Sequence, residues 1–113
     1  MSAKKTDGPD LSDDALTAKL GKGQWRRATT PDGRTIVVKR PGGADYRRFM
    51  GIIGNDKPDE RAPAMMEIVL KSTVFPDWAE AKSILDDFGG LMVALCAEVQ
   101  NLAGADIAIE GKG

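Results

Sequence analysis

The sequence predicts an α+β domain that is mostly helical, with one β-hairpin near the N-terminus and a small helical bundle after it. Three observations support this fold class: a turn signal between two β-prone segments, several apolar stripes with helical spacing, and two such stripes around a double glycine. The chain has 113 residues, 42% hydrophobic and 29% charged, which is typical of one globular domain. We expect this domain to span residues 10–104, between a disordered segment 1–9 and a flexible C-terminal tail 105–113.

The first predicted element is a short helix that needs another element to dock on, because short helices are marginal alone. Asp10 or Ser12 is suited to cap it, and Gly21 and Gly23 are suited to end it. Its apolar side carries Leu11, Ala15, Leu16 and Leu20.

Residues 24–39 have the pattern of a β-hairpin. Thr30-Pro31-Asp32-Gly33 places proline where a type I turn favours it and glycine where the chain becomes left-handed. Pairing Thr30 with Arg34 puts Arg26, Ala28, Ile36 and Val38 on one face and Trp25, Arg27, Val37 and Lys39 on the other. Because neither face is uniformly apolar and two strands alone are marginal in water, we expect the hairpin to pack on helices or on another subunit.

Two helices are predicted next, at about residues 44–53 and 63–71. Asp45 is suited to cap the first, and Pro63 suits the first turn of the second. The apolar stripe of the first helix is Tyr46, Phe49, Met50 and Ile53. The second carries Met65, Met66, Ile68, Val69 and Leu70.

A C-terminal pair of helices, at about residues 77–88 and 91–103, is the best-determined part of the prediction. Asp77 is suited to cap the first, Gly89-Gly90 to separate the two, and Gly104 to end the second. The short connection favours an antiparallel pair whose apolar stripes face each other or a shared third element. The two stripes are Trp78, Ala81, Leu85 and Phe88, and Met92, Leu95, Cys96, Val99, Leu102 and Ala103.

The residue types needed for catalysis or metal binding are scarce. The sequence has no histidine and one cysteine, Cys96, which its apolar stripe predicts to be buried. The carboxylate pairs Asp13-Asp14, Asp59-Glu60 and Asp86-Asp87 are adjacent in sequence, so on a helix their side chains do not face each other. We therefore expect no enzyme activity, no cofactor and no metal site.

Charge is unevenly distributed along the chain, although the net charge is only −1. Residues 22–48 contain eight basic and two acidic residues, a local charge of +6, whereas residues 49–113 contain eleven acidic and five basic residues, a local charge of −6. The two halves are therefore expected to attract each other or other copies of the chain.

The basic cluster contains five predicted partner-binding residues: Trp25, Arg26, Arg27, Arg47 and Arg48. An acidic protein partner or sister subunit, a solvated surface and a nucleic acid are the three interpretations. The sequence pI of about 5.4 argues against nucleic acid.

Three further residues of the C-terminal pair belong to the predicted partner-binding set: Trp78, Phe88 and Leu91. Trp78 is interpreted either as core or as an interface anchor. No secretory signal or membrane-spanning apolar run is evident, so we expect a cytoplasmic protein without a membrane partner.

The C-terminal segment resembles a known family. Val74-Phe75-Pro76, an acidic-starting helix, Gly89-Gly90-Leu91 and a helix ending Leu102-Ala103-Gly104 are similar to the C-terminal half of the tail assembly chaperones of long-tailed bacteriophages. Upstream, Val38-Lys39-Arg40-Pro41 and the helix from Tyr46 to Met50 resemble the start of such proteins. The resemblance covers residues 36–104 and is strongest over residues 74–104.

The resemblance implies a non-enzymatic protein that self-associates and coats the tape measure protein until tail tube subunits polymerise around it. Its partners would be other copies of itself, the tape measure protein and the tail tube protein. Two alternatives remain: a structural tail or connector protein of the phage particle, and a small nucleic-acid-binding regulatory module that uses the arginine-rich hairpin.

Overall fold

The computed structural model describes residues 9–105 and 107, and it contains five α-helices and a three-stranded antiparallel sheet. Most of the predicted disordered segment 1–9 and of the predicted tail 105–113 lies outside the described residues. The helices are α1 (Asp13–Leu20), α2 (Gly43–Ile53), α3 (Arg61–Lys71), α4 (Trp78–Asp87) and α5 (Gly89–Gln100). The strands are β1 (Trp25–Thr29), β2 (Thr35–Lys39) and β3 (Thr73–Phe75). A 3-10 turn (Pro58–Glu60) precedes α3, and a π turn (Asn101–Ala105) follows α5.

The predicted β-hairpin and its register are confirmed. The Thr30 amide donates to the Arg34 carbonyl at 2.8 Å, and Gly33 takes the left-handed conformation at φ 89°. Arg26 pairs with Val38 and Ala28 with Ile36, so the two faces of the hairpin have the predicted composition.

The sheet has a third strand, which the sequence did not predict. β3 pairs with β2 at Val37↔Phe75 and Val38↔Thr73, with an irregularity between these two rungs. β2 is thus the central strand, and Ile36, Val37 and Val38 are all fully buried. Burial on both faces explains why these three consecutive residues are apolar without alternating with polar ones.

The two faces of the sheet are covered by different helices. α1 packs against β1 on the side of Val37, with Leu16 as its one buried residue within the described chain. Ile36 and Val38 face the main core. The helical residues of this core are Phe49, Ala64, Ile68, Val69, Leu70, Ala81, Ile84, Leu85, Leu95, Cys96, Val99 and Leu102. The predicted burial of Cys96 is therefore confirmed.

The stripe predicted for α2 is only partly buried. Phe49 is buried and its neighbours Tyr46 and Ile53 pack against the core, but Met50 is 46% exposed. Phe49 and Met50 are adjacent on the helix, so they point in directions about 100° apart, and only one of them reaches the core.

The connection between the last two helices differs from the prediction. α4 ends at Asp87, the single residue Phe88 turns the chain, and Gly89-Gly90 form the first turn of α5 instead of separating the helices. Glycine is tolerated there because the first-turn amides have no partner within the helix. The chain direction changes by 117° between the helices, so the predicted antiparallel pair is splayed. Gly104 ends the last helix with φ 106°, as predicted.

Within the described ranges, no helix taken singly has the length and apolar character needed to cross a membrane. α4 and α5 with its π turn reach that length and composition only when they are joined across the 117° bend.

Candidate interaction surface

An open apolar groove lies between α2, α3 and α5, with a volume of about 420 Å³. This volume falls within the range of ~300–1,000 Å³ that is common for binding sites. The groove is walled mainly by aliphatic, aromatic and methionine side chains, with one cation and one amide. The lining residues are Phe49, Ile53, Arg61, Met65, Val93, Cys96, Ala97 and Gln100.

The groove has an apolar wall on the side of α5 because apolar residues fall on every side of that helix. Glu98 is the one charged residue in the helix, and its carboxylate accepts a hydrogen bond from Arg26 at 2.8 Å. Leu95, Cys96 and Val99 face the core, whereas Val93 is 53% exposed. A helix without a polar face is normally covered on all sides, so the outer side of α5 is suited to contact a partner.

A second depression, between α2 and α3, is larger but differs in chemistry. Its volume is about 610 Å³, and charged residues contribute much of its surface. Arg48 and Glu67, which line it, form an ion pair at 3.3 Å. The apolar groove is therefore the stronger candidate for a protein partner, because burying its surface does not remove charges from water.

Two predicted partner-binding residues of the hairpin, Trp25 and Arg27, hold α1 on the sheet. The Trp25 indole N–H donates to the Thr17 hydroxyl at 3.2 Å. The Arg27 guanidinium pairs with Asp13 at 2.6 Å and lies 5.3 Å from the centroid of the Trp25 ring. Both side chains are thus used inside the molecule, where α1 finds the docking surface that its short length requires.

Arg26, on the opposite face of the hairpin, links the sheet to α5. Its Nε donates to Glu98 Oε1 at 2.8 Å. One of its terminal nitrogens donates to the Trp25 carbonyl at 3.0 Å. Trp25 is paired with Lys39, but the Lys39 amide donates to the Ser72 carbonyl on the far side of β2 and not to Trp25. Trp25 and Lys39 are therefore a non-hydrogen-bonded pair, and the Trp25 carbonyl points to the free edge of β1.

Arg34 has the same bridging role, which the sequence did not reveal. Its guanidinium contacts Asp32 at 3.0 Å and Asp87 at 2.8 Å, and it lies 5.6 Å from the Phe88 ring centroid. Hydrogen bonds from Arg34, and then from the Thr30 hydroxyl, lower the pKa of Asp32. The same bonds to Asp32 and Asp87 raise the pKa of Arg34. The tip of the hairpin is thereby joined to the end of α4, 53 residues away in sequence.

The two predicted residues of α2 differ in their contacts. Arg48 pairs with Glu67, as described above, whereas Arg47 is exposed and has no ion-pair partner among residues 9–105 and 107. Four arginines of the basic segment are therefore paired with carboxylates inside the chain. This arrangement leaves fewer cations for the phosphates of a nucleic acid.

The predicted residues of the C-terminal helices lie at different depths. Trp78 is 52% exposed, so its interpretation as core is wrong; as the first residue of α4 it lies beyond the end of the core, and Ile84 is buried instead. Phe88 and Leu91 are half-buried. None of the eight predicted partner-binding residues lines the apolar groove, and their role in binding a partner stays a prediction.

The sequence did not predict the groove, because its lining residues come from three separate helices. The available signal was α5 itself, where apolar residues fall on every side of the helix. In the described part of the chain, no three His, Cys, Asp or Glu side chains lie together as metal ligands would. Burial raises the pKa of the Cys96 thiol, so it is held in the unreactive protonated form.

The comparisons with known proteins give matches by structure. An uncharacterised protein from Bacillus stearothermophilus, rbstp2171, superposes with a TM-score of 0.61 at 24% identity, over 89% of this chain and 100% of that one. The bacteriophage HK97 tail assembly chaperone superposes with a TM-score of 0.50 at 16% identity, over 79% of this chain and 94% of that one. These likenesses show a shared fold. No family profile and no curated protein sequence matches the chain.

Proposed function

We propose that this chain is a tail assembly chaperone of a long-tailed bacteriophage. It would be a non-enzymatic protein of the host cytoplasm that self-associates and shields the tape measure protein until tail tube subunits polymerise around it. The observation that carries the proposal is an apolar groove between three helices, on a fold shared with the HK97 tail assembly chaperone.

The chemistry of the groove supports a helical client. A tape measure protein exposes apolar helical stripes before assembly, and an open groove of apolar and methionine side chains can cover one segment of such a stripe. Repeated weak contacts along a long client give stable coverage in sum, while each contact remains easy for the tube protein to displace.

Exposed apolar side chains outside the groove also support self-association. Met50 of α2 and Trp78 of α4 are 46% and 52% exposed and do not line the groove, and burying such apolar side chains between copies is favourable. Sedimentation of the pure protein over a range of concentrations and salt is the test. A monomer under every condition would contradict this part of the proposal.

Co-expression with the tape measure protein of the same phage tests the chaperone role. We expect the wild-type chain to keep the tape measure protein soluble and to co-purify with it. Val93→Glu places a charge in the groove and should abolish both effects. Ala79→Glu is the matched control, because Ala79 is exposed on α4 and does not line the groove.

Mass spectrometry of purified virions separates this proposal from the alternative of a structural tail or connector protein. A chaperone is expected to be absent from the finished particle, and a structural component is expected to be present in stoichiometric amount. Stoichiometric presence, or an equal effect of the two glutamate substitutions, would overturn the proposed function.

A further inference from the structure

We infer that the apolar groove selects its client by charge: it takes an amphipathic helix whose apolar stripe is bordered by a carboxylate, and Arg61 binds that carboxylate. The inference rests on the proposed function for the identity of the client. It adds a specificity-determining residue and a chemical requirement that the client has to meet.

The spacing of the groove walls fits a helix. α5 contributes Val93, Ala97 and Gln100, at i, i+4 and i+7, and this wall rises about 10 Å, or two helical turns. α2 and α3 each contribute two residues four apart, Phe49 with Ile53 and Arg61 with Met65. Walls of one to two turns match the i, i+3, i+4 and i+7 anchors that an amphipathic helix presents.

Among the described residues, Arg61 is the one charged residue that lines the groove. It is exposed at the first position of α3 and forms no ion pair with any residue in the ranges 9–105 and 107. By contrast, Arg26, Arg27, Arg34 and Arg48 are all paired with carboxylates. The guanidinium of Arg61 therefore has its donors available for a ligand.

The surroundings of Arg61 allow its charge to determine which helices bind in the groove. The other groove residues are apolar apart from the neutral amide of Gln100, so no carboxylate from residues 9–105 and 107 lines the groove and offsets the cation. A helix that brings a carboxylate gains a charge-assisted hydrogen bond, which is bidentate in favourable geometry. A helix that brings a lysine to the same place instead meets a like charge as its apolar stripe becomes buried.

Three synthetic peptides test the inference with the full chain. Each is an 18-residue, end-capped amphipathic helix with leucines at i, i+3, i+4 and i+7, and the three differ only in the residues that border the stripe: glutamate, glutamine or lysine. Fluorescence anisotropy should give the affinity order glutamate, glutamine, lysine, with steps of about fivefold.

Arg61→Glu should reverse this order. The variant is expected to fold, because a glutamate in the first turn of a helix is favourable for the helix dipole, and its thermal unfolding provides the check. Arg40→Glu is the matched control, because Arg40 is also exposed and unpaired among the described residues but does not line the groove. It should leave the order unchanged.

The outcomes separate this inference from the proposed function. Equal binding of the three peptides, with loss of binding in Val93→Glu, would refute selection by Arg61 and leave the chaperone role intact. The same reversal in Arg40→Glu would also refute it, because the effect would then come from overall charge. If no peptide binds and Val93→Glu instead dissociates an oligomer, the groove is covered by a second copy and the inference is wrong. Failure of both peptide binding and tape measure solubilisation would refute both proposals.

Discussion

The guanidinium of Arg34 holds the tip of the hairpin against the end of α4. It contacts carboxylates from both elements and lies over the Phe88 ring. The sequence predicted an arginine-rich cluster but not its partners, because Asp87 and Glu98 are separated from Arg34 and Arg26 by 53 and 72 residues. The sequence therefore predicted a cluster of positive charge, whereas the carboxylates that pair with it could be identified only from the fold.

The lowered pKa of Asp32 predicts an acid-dependent loss of stability. A carboxylate with a lower pKa in the folded state stabilises the fold above its unfolded pKa of about 3.9. This contribution is lost as pH falls below that value and through the lowered folded pKa. Arg34→Gln should flatten the change in the free energy of unfolding in this acid range, as measured by urea denaturation at pH 7, 4 and 3. Arg47→Gln should not flatten it, and an identical pH profile in both variants would contradict the prediction.

Ser72 predicts a stabilising substitution. It is fully buried, and its hydroxyl has no hydrogen-bond partner among the described residues. Ser72→Ala removes an unsatisfied buried group, so the free energy of unfolding should rise by about 1 kcal/mol. Thr73→Val is the control of opposite sign, because the Thr73 hydroxyl donates to the Val69 carbonyl at 2.8 Å. Destabilisation by Ser72→Ala in chemical denaturation would show that the hydroxyl is satisfied.

At the scale of elements, the sequence correctly predicted the features that depend on neighbouring residues, such as turns and helix caps. The hairpin register followed from its turn residues, and the Asp77 side chain caps α4 by accepting from the Glu80 amide at 2.9 Å. β3 was missed because a three-residue strand before a proline has little pattern of its own, and its pairing with β2 depends on α3 bringing it back to the sheet. The groove was missed for the same reason, since its walls come from three helices.

The corrected role of the double glycine leads to a prediction. Gly89 lies in the first turn of α5, and a Cβ added there has no neighbour within 4 Å in the described chain. Gly89→Ala should therefore raise the free energy of unfolding by about 0.5 kcal/mol, because alanine loses less backbone entropy on folding.

Gly104 is the matched control for this substitution. Its φ of 106° is unfavourable for alanine, and an added Cβ would lie 3.1 Å from the Ile107 side chain. Gly104→Ala should lower the free energy of unfolding in the same denaturation assay. A loss of stability in Gly89→Ala would indicate that the link at Phe88 needs the freedom of glycine after it.

On the scale of the whole molecule, the opposite charges of the two halves are partly neutralised inside one chain. Arg26–Glu98, Arg34–Asp87 and Arg48–Glu67 each join the basic segment to the acidic one. The sequence predicted that the two halves attract each other or attract other copies of the chain. These three ion pairs show attraction between the two halves of one chain. Arg47 and Arg61 have no carboxylate partner in the described chain, so their charges are available to attract a second molecule.

These bridging pairs predict a moderate salt dependence of stability. All three are partly exposed, so each stabilises the fold only weakly and is screened by salt. The free energy of unfolding should fall between low salt and ~0.5 M NaCl. Glu98→Gln should reduce this difference, whereas Glu80→Gln, which removes an unpaired carboxylate in the described chain, should not. Stability that is independent of salt in the wild-type chain would contradict the prediction.

The guanidinium of Arg26 has a consequence for molecules at high concentration. β1 is one of the two edge strands, and a bare strand edge is a template on which a neighbouring molecule can extend the sheet. The contact from Arg26 to the Trp25 carbonyl occupies one of the acceptors that such growth would use. At high concentration, intermolecular pairing of β1 edges into extended sheets is therefore less favourable, and contacts between molecules through their helices stay reversible.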